Sequence, residues 1–159
     1  MTVPLLTLDN IKFTYRGSDR PALDGLDLQV APGEFVGLVG ASGAGKSTLI
    51  RTACAIIPKF FKGSFSGRVL FEGRDNSGRS PAELAGEIGT IFQDYEGQLF
   101  STNVLRELAF GPENLGLAPT EIQKRIDRAA ALTGLSGLMN REPRSLSGGQ
   151  KQRLALASI

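Results

Sequence analysis

The stretch Gly40-Ala41-Ser42-Gly43-Ala44-Gly45-Lys46-Ser47-Thr48, preceded by the apolar run Phe35-Val36-Gly37-Leu38-Val39, decides how this chain is read. Its spacing fits the phosphate-binding pattern Gly-x-x-x-x-Gly-Lys-[Ser/Thr] between a buried strand and a helix. Gly40, Gly43 and Gly45 lack a β-carbon, so a loop running through Ser42 and Ala44 can turn successive N–H groups inward around an anion. Lys46 adds a positive charge on a stem long enough to reach the β- and γ-phosphates of a polyphosphate. The Ser47 hydroxyl is placed to ligate Mg²⁺, and the following helix offers its N-terminus to the same anion. The spacing of Gly37, Gly40, Gly43 and Gly45 does not give the G-x-G-x-x-G fingerprint of a dinucleotide fold.

Working outward, 159 residues amount to about one domain with enough chain for a core. A hydrophobic content of 41% with 21% charged residues is ordinary for a globular protein and argues against disorder. The net charge of +2, with basic residues scattered along the chain, gives no electrostatic case for nucleic acid. No apolar stretch is long enough to span a bilayer and the N-terminus does not read as a signal peptide, so a cytoplasmic location is expected. The single cysteine, Cys54, follows the loop on an apolar helix and reads as core filling.

Before the loop, Leu5 to Tyr15 alternates with an interruption at Asp9-Asn10, which predicts a strand with a bulge, and Leu26 to Val30 predicts a second strand. With a Phe35 to Val39 strand these give an antiparallel start joined to a parallel core. After it, a helix is expected from Thr48 to Ile57, stopped by Pro58. Next come a strand at Val69 to Phe71, a loop at Gly73 to Gly78, a short helix from Pro81, and a buried strand from Ile88 to Phe92 ending at Gln93. Beyond Gln93 the pattern turns helical. A helix from Thr102 should stop at Gly111-Pro112, and Thr120 with Gln123 has capping-box spacing for the next. Finally Leu146-Ser147-Gly148-Gly149-Gln150 precedes a helical run, and Ser147 with Gln150 again has capping-box spacing. This divides the chain into a β part and loop core (1–93), a helical subdomain (94–145) and a final motif with the start of its helix (146–159).

Taken together, the Gly40 to Thr48 loop, Gln93 at a strand end and the Leu146 to Gln150 motif resemble the ATP-binding cassette ATPase family over the whole chain. The resemblance implies an α/β P-loop domain with an antiparallel β part and a helical subdomain. It implies ATP and Mg²⁺ as ligands, with Lys46, Ser47 and Thr48 on phosphates and metal and Gln93 near the metal and attacking water. Ser147, Gly148, Gly149 and Gln150 would grip the ATP of a second ATPase subunit. Tyr15 matches the family's adenine-stacking aromatic, and a strand-end core tyrosine is the other reading. For Gln93 the other reading is a solvated loop amide. Lys46 and Gln93 are thus the expected catalytic residues, and Ser47 and Gln93 the expected metal ligands.

Within that family, Asp94 to Phe100 and Ala109 to Gly116 look like the ATPases of energy-coupling-factor transporters, which drive uptake of vitamins and metal ions. This implies a transmembrane coupling subunit, a substrate-binding membrane subunit and a peripheral place on the inner face of the membrane. The docking groove is expected around Gln93 to Glu107, with Leu99 and Phe100 exposed. Members of the family continue into an apolar strand ending in Asp-Glu and a switch histidine; this sequence has no histidine. The domain therefore reads as incomplete at its C-terminal side, able to bind ATP and not to turn it over. Other readings are a cytosolic cassette ATPase acting on DNA or ribosomes, a non-catalytic binding module, and a small-molecule P-loop kinase.

Overall fold

Alternating apolar residues draw the chain from Leu6 to Tyr15 into β1 (Leu6–Tyr15), an inner strand of a four-stranded antiparallel sheet. The computed structural model describes residues 3–159. The sheet order is β2-β1-β3-β4, with β2 at Leu23–Val30, β3 at Gly63–Phe71 and β4 at Arg74–Asp75. The chain divides into two compact units, Met1–Ile88 and Gly89–Ile159.

The bulge expected at Asp9-Asn10 is present. Pairing slips between Leu8 and Ile11 against β2 and between Asp9 and Lys12 against β3, and Asn10 takes φ 49°. The Asn10 N–H, released from the ladder, donates to Asp27 Oδ1 at 2.7 Å. Opposite it, Gly67 takes φ 102°, and a β-carbon there would fall 2.5 Å from the Asn10 carbonyl oxygen and 2.7 Å from that of Asp9. One face of the sheet contributes Leu8, Ile11, Phe13, Leu23 and Val69 to a core that Leu49 and Ile57 complete.

Leu49 comes from α1 (Lys46–Ala53), which ends four residues before the expected Ile57. Ala55 adopts a left-handed φ of 55°, so the chain leaves the helix. Ile57, which precedes a proline and so disfavours helix, is buried in the sheet core. The expected loop at Gly73 to Gly78 includes the short β4, and β3 starts six residues before Val69. The short helix α2 (Pro81–Leu84) opens with a capping box in which Ser80 and Glu83 each bond the other's backbone N–H. The Ser80 hydroxyl also donates to the Glu83 carboxylate at 2.6 Å, and that bond first and the Ser80 N–H second hold the Glu83 carboxyl below its ordinary pKa.

Two expected strands do not form. Phe35 to Val39 and Ile88 to Phe92 have no strand pairing, and Phe35 and Val39 are 98% and 94% exposed. Continuous apolar runs of this kind need ladder partners on both sides and cover on both faces. Among the described residues every sheet strand belongs to the antiparallel sheet, so the parallel core is not built.

In the second unit α3 (Val104–Asn114), α4 (Pro119–Thr133) and α5 (Gly148–Ala157) bury Val104, Leu108, Ile126, Ala130, Leu135, Leu146 and Leu154 in a common core. Helix α3 runs past Gly111-Pro112 instead of stopping there. Pro112 costs one intrahelical donor, but Leu115 N–H still reaches the Gly111 carbonyl at 3.1 Å and Asn114 Nδ2 reaches the Phe110 carbonyl at 2.9 Å. Helix α4 is not capped by Thr120. It begins with Pro119 in its first turn after Ala118, where a missing N–H costs nothing, and Gln123 bonds Asp127 instead of reaching back. Gly134, left-handed at φ 67°, closes α4 as its N–H meets the Ala130 and Ala131 carbonyls.

Substituting Gly67 should therefore hurt far more than substituting Gly17, whose φ is also positive but which has nothing within 4 Å of an added β-carbon. Gly17→Ala is expected to cost about 1 kcal/mol, the left-handed backbone penalty alone, and Gly67→Ala clearly more. Urea unfolding of the two variants checks the order.

Candidate functional site

The loop before α1 is exposed from Gly40 to Ala44, and its last residue caps the helix without a side chain. Gly45 takes φ 87°, and a β-carbon there would lie 2.4 Å from the Ala22 carbonyl oxygen, so the first turn of α1 starts where only glycine fits. Gly43 is also left-handed, at φ 82°. Among the described residues no side chain caps α1, and its first turn holds no acidic residue. Its leading N–H groups are thus left with the positive end of the helix dipole and no built-in acceptor, the arrangement that binds an anion.

Lys46 reaches back over this loop. Its Nζ donates to the Gly40 carbonyl at 2.7 Å and to that of Ala41 at 2.8 Å, holding an ammonium over the nest. Ser47 is exposed beside it. Thr48 is not, at 6% exposure, and its Oγ1 lies 3.0 Å from Tyr15 Oη. The half-buried Tyr15 ring meets Phe13 edge-on at 4.7 Å and Phe61 at 6.1 Å. One unit of the fold thus gathers Tyr15, the loop and Lys46 to Thr48. The Thr48 hydroxyl lies within hydrogen-bond distance of the Tyr15 hydroxyl.

The second unit carries Gln93 and the Ser147 motif. Gln93 stands exposed in a bend, and the residues around it are tied down. Gln98 accepts from the Phe92 N–H at 2.8 Å and donates to the Thr90 carbonyl at 3.2 Å, and Asp94 accepts from the Gly97 N–H at 3.1 Å. Glu96 pairs with Lys151 of α5 at 2.7 Å. A hollow lined by Ile91, Gln93, Tyr95, Gln152 and Arg153 puts the Gln93 segment beside that helix.

At the start of α5 the capping box is present as expected. Ser147 Oγ accepts from the Gln150 N–H at 3.3 Å, and Gln150 Oε1 accepts from the Ser147 N–H at 2.9 Å. Gly148 and Gly149 are exposed; a β-carbon on Gly149 would meet nothing within 4 Å, and one on Gly148 only the Tyr95 hydroxyl at 4.0 Å. Two glycines in a first helical turn are thus not required by packing within the chain. They leave the backbone open to close approach from outside it.

Sequence reasoning missed Glu107. It is 3% exposed, and its Oε2 accepts from the Phe100 N–H at 3.1 Å and the Ser101 N–H at 2.7 Å. The signal lay in its place at the start of α3, where a carboxylate commonly serves stray N–H groups. Leu99 and Phe100, expected to be exposed together, part ways: Leu99 packs against the helical core, while Phe100 is 62% exposed and meets Phe110 edge-on at 4.7 Å.

The profile of the ABC transporter family matches residues 23–159. The chain belongs to that family. A protein of Caldanaerobacter subterraneus, provisionally named an ABC transporter ATP-binding protein, is 46% identical over 155 residues, covering 97% of this chain and 27% of the relative. A protein of Pyrococcus abyssi with the same kind of name is 41% identical, covering 98% of this chain and 55% of the relative. Among solved structures, CbiO1 from Clostridium perfringens, described as part of the ABC transporter complex CbiONQ, superposes with a TM-score of 0.83 at 35% identity. That match covers 98% of this chain and 60% of CbiO1. The antiparallel sheet, the loop and the helices thus form an ABC-type P-loop ATPase fold, and the chain spans only part of the length of these relatives. Among the described residues no helix is long and apolar enough to cross a membrane.

Because the chain does not need Gly148 and Gly149 for packing, Gly149→Ala is expected to raise stability, by up to about 1 kcal/mol of helix propensity. Thermal melting measures this, and a loss of stability would mean that the glycine serves the fold.

Proposed function

We propose that this chain is the nucleotide-binding part of an ABC importer of the energy-coupling-factor type, with ATP as its substrate and Mg²⁺ as cofactor. The observation that carries the reading is Lys46 poised over an uncapped helix N-terminus: a cation on two loop carbonyls beside N–H groups lacking acceptors. The residues fit the group, since the Gly43 and Gly45 backbone leaves the cradle free of side-chain bulk. Polyphosphate oxygens would take the place of the Gly40 and Ala41 carbonyls as partners of Lys46, and Ser47 and Gln93 are the candidate metal ligands. A bound Mg²⁺ would supply charge neutralisation for the transferring phosphoryl group.

In the whole protein, hydrolysis in this reading is direct attack by water with no covalent intermediate. Lys46 and the loop N–H groups stabilise charge on the phosphoryl oxygens, and Gln93 orients the water. Tyr15 supplies the adenine platform. Ser147, Gly148, Gly149 and Gln150 close over ATP held by a second ATPase subunit, which accounts for glycines that no neighbour within the chain requires. The exposed Phe100 and Phe110 pair is the proposed anchor for a transmembrane coupling subunit, which a substrate-binding membrane subunit would accompany at the inner face of the membrane. Likeness to CbiO1, part of a transporter complex, supports an importer. Vitamins or metal ions are the proposed cargo.

Lys46→Ala is expected to abolish Mg·ATP binding by calorimetry while the melting temperature stays close to wild type, because the side chain faces the loop and not the core. Undiminished affinity would remove the assignment. In the full-length protein, Phe100→Asp is expected to reduce co-purification of the membrane subunits while leaving ATP affinity unchanged. Leu99→Asp is no substitute, since Leu99 supports the helical core. Equal recovery of the membrane subunits with the Phe100 variant would place docking elsewhere.

A further inference from the structure

Where the chain leaves α1 it closes a cavity of about 90 Å³ against β3, within the first unit. Ala55, Ile57 and Val69 give it a buried apolar floor, and exposed Lys59 and Ser77 border it. Asn76 is the discordant residue in this lining. It is 2% exposed, and its main chain is tied down: its N–H donates to the Val69 carbonyl at 2.8 Å and its carbonyl accepts from the Arg79 N–H at 3.0 Å. Its Oδ1 faces Arg79 Nη1 at 3.5 Å, and Arg79 is itself held by Glu87 at 2.7 Å. Exchanging the amide oxygen and nitrogen would set donor against donor, so the Arg79 contact fixes the orientation of the amide. Asn76 Nδ2 is then left buried with no partner among the described residues. A buried donor without an acceptor is costly, and an apolar side chain would fill the same place without that cost.

We infer that this cavity is a binding site for a small neutral molecule, an apolar body carrying one acceptor oxygen such as a ketone or an ether, which takes the free hydrogens of Asn76 Nδ2. The other polar groups of the lining are engaged elsewhere. Thr52 Oγ1 donates to the Thr48 carbonyl at 2.9 Å, and Lys59 Nζ donates to the Gly78 carbonyl at 3.2 Å. An anion would have to shed its water against Ala55, Ile57 and Val69, which excludes a charged ligand. The volume excludes a nucleotide, since pockets for drug-sized ligands start at about 300 Å³. An apolar cavity of about 150 Å³ holds benzene, so the ligand here has about four or five non-hydrogen atoms. The site is separate from the phosphate loop and does not depend on the nucleotide-binding reading.

The test is an NMR titration of the intact protein with butanone and with 2-methyl-1-butene, which has the same shape with a methylene in place of the oxygen. Butanone is expected to bind saturably in the millimolar range, shifting the Asn76 side-chain amide together with the Ile57 and Val69 methyl groups. It should bind roughly threefold to tenfold more tightly than the alkene, the scale of one net hydrogen bond. Asn76→Leu, which removes the donor, is expected to erase that preference and to raise the melting temperature. Asn76→Ala, with the same loss of preference expected, replaces it if the leucine variant does not fold. Absence of a saturable shift at Asn76 with butanone would overturn the proposal, as would equal affinity of the wild type for both probes or an unchanged preference in the variants. A water cross-peak to the Asn76 amide that persists at saturating butanone would assign the donor to a buried water and overturn it as well. None of these outcomes bears on the nucleotide-binding reading, which Lys46→Ala tests separately.

Discussion

The passage of Gly45 against the backbone of Ala22 is the constraint on which the first unit depends. At that point the chain must turn left-handed with no side chain in the way, so α1 is pinned to the residue preceding β2. Everything of chemical interest in this unit follows from where α1 starts. Its start sets the direction of the helix dipole, the reach of Lys46 back to Gly40 and Ala41, and the burial of Thr48 and Leu49 against the sheet. A helix shifted by one residue would rotate these side chains by about 100° and lose the arrangement.

The two helix starts that matter are finished in opposite ways. At α5 the chain answers its own leading N–H groups through Ser147 and Gln150, whereas α1 leaves them without side-chain acceptors. Capping at α5 fixes the direction of a helix whose exposed glycines would otherwise let it fray. Lack of capping at α1 leaves donors open. The same backbone problem is closed at one helix and left open at the other.

Local signals explain how much of this was legible. The loop, the β1 bulge at Asp9-Asn10 and the Ser147 capping box are set by residues within a few positions of one another, and each appears where the sequence places it. Phe35 to Val39 and Ile88 to Phe92 misled because an apolar run states what a segment would bury, not whether a ladder partner exists. Thr120 misled because Pro119 already starts α4 with a fixed φ and no donor to satisfy. Glu107 was legible only as an acidic residue at the start of α3, whereas the Tyr15 to Thr48 bond could not be read, since it depends on two side chains brought together by folding across 33 positions.

The buried Glu107 carboxylate also has a consequence for the aromatic pair beside it. By accepting from the Phe100 and Ser101 N–H groups it fixes the backbone beneath an exposed ring, and Phe110 on α3 steadies that ring edge-on. An apolar anchor already ordered in the free protein has little conformational entropy left to lose when it is covered. The Phe100 surface is therefore preorganised: a partner meeting it would gain contact without first having to stiffen it, and the complex would be held longer for the same buried area.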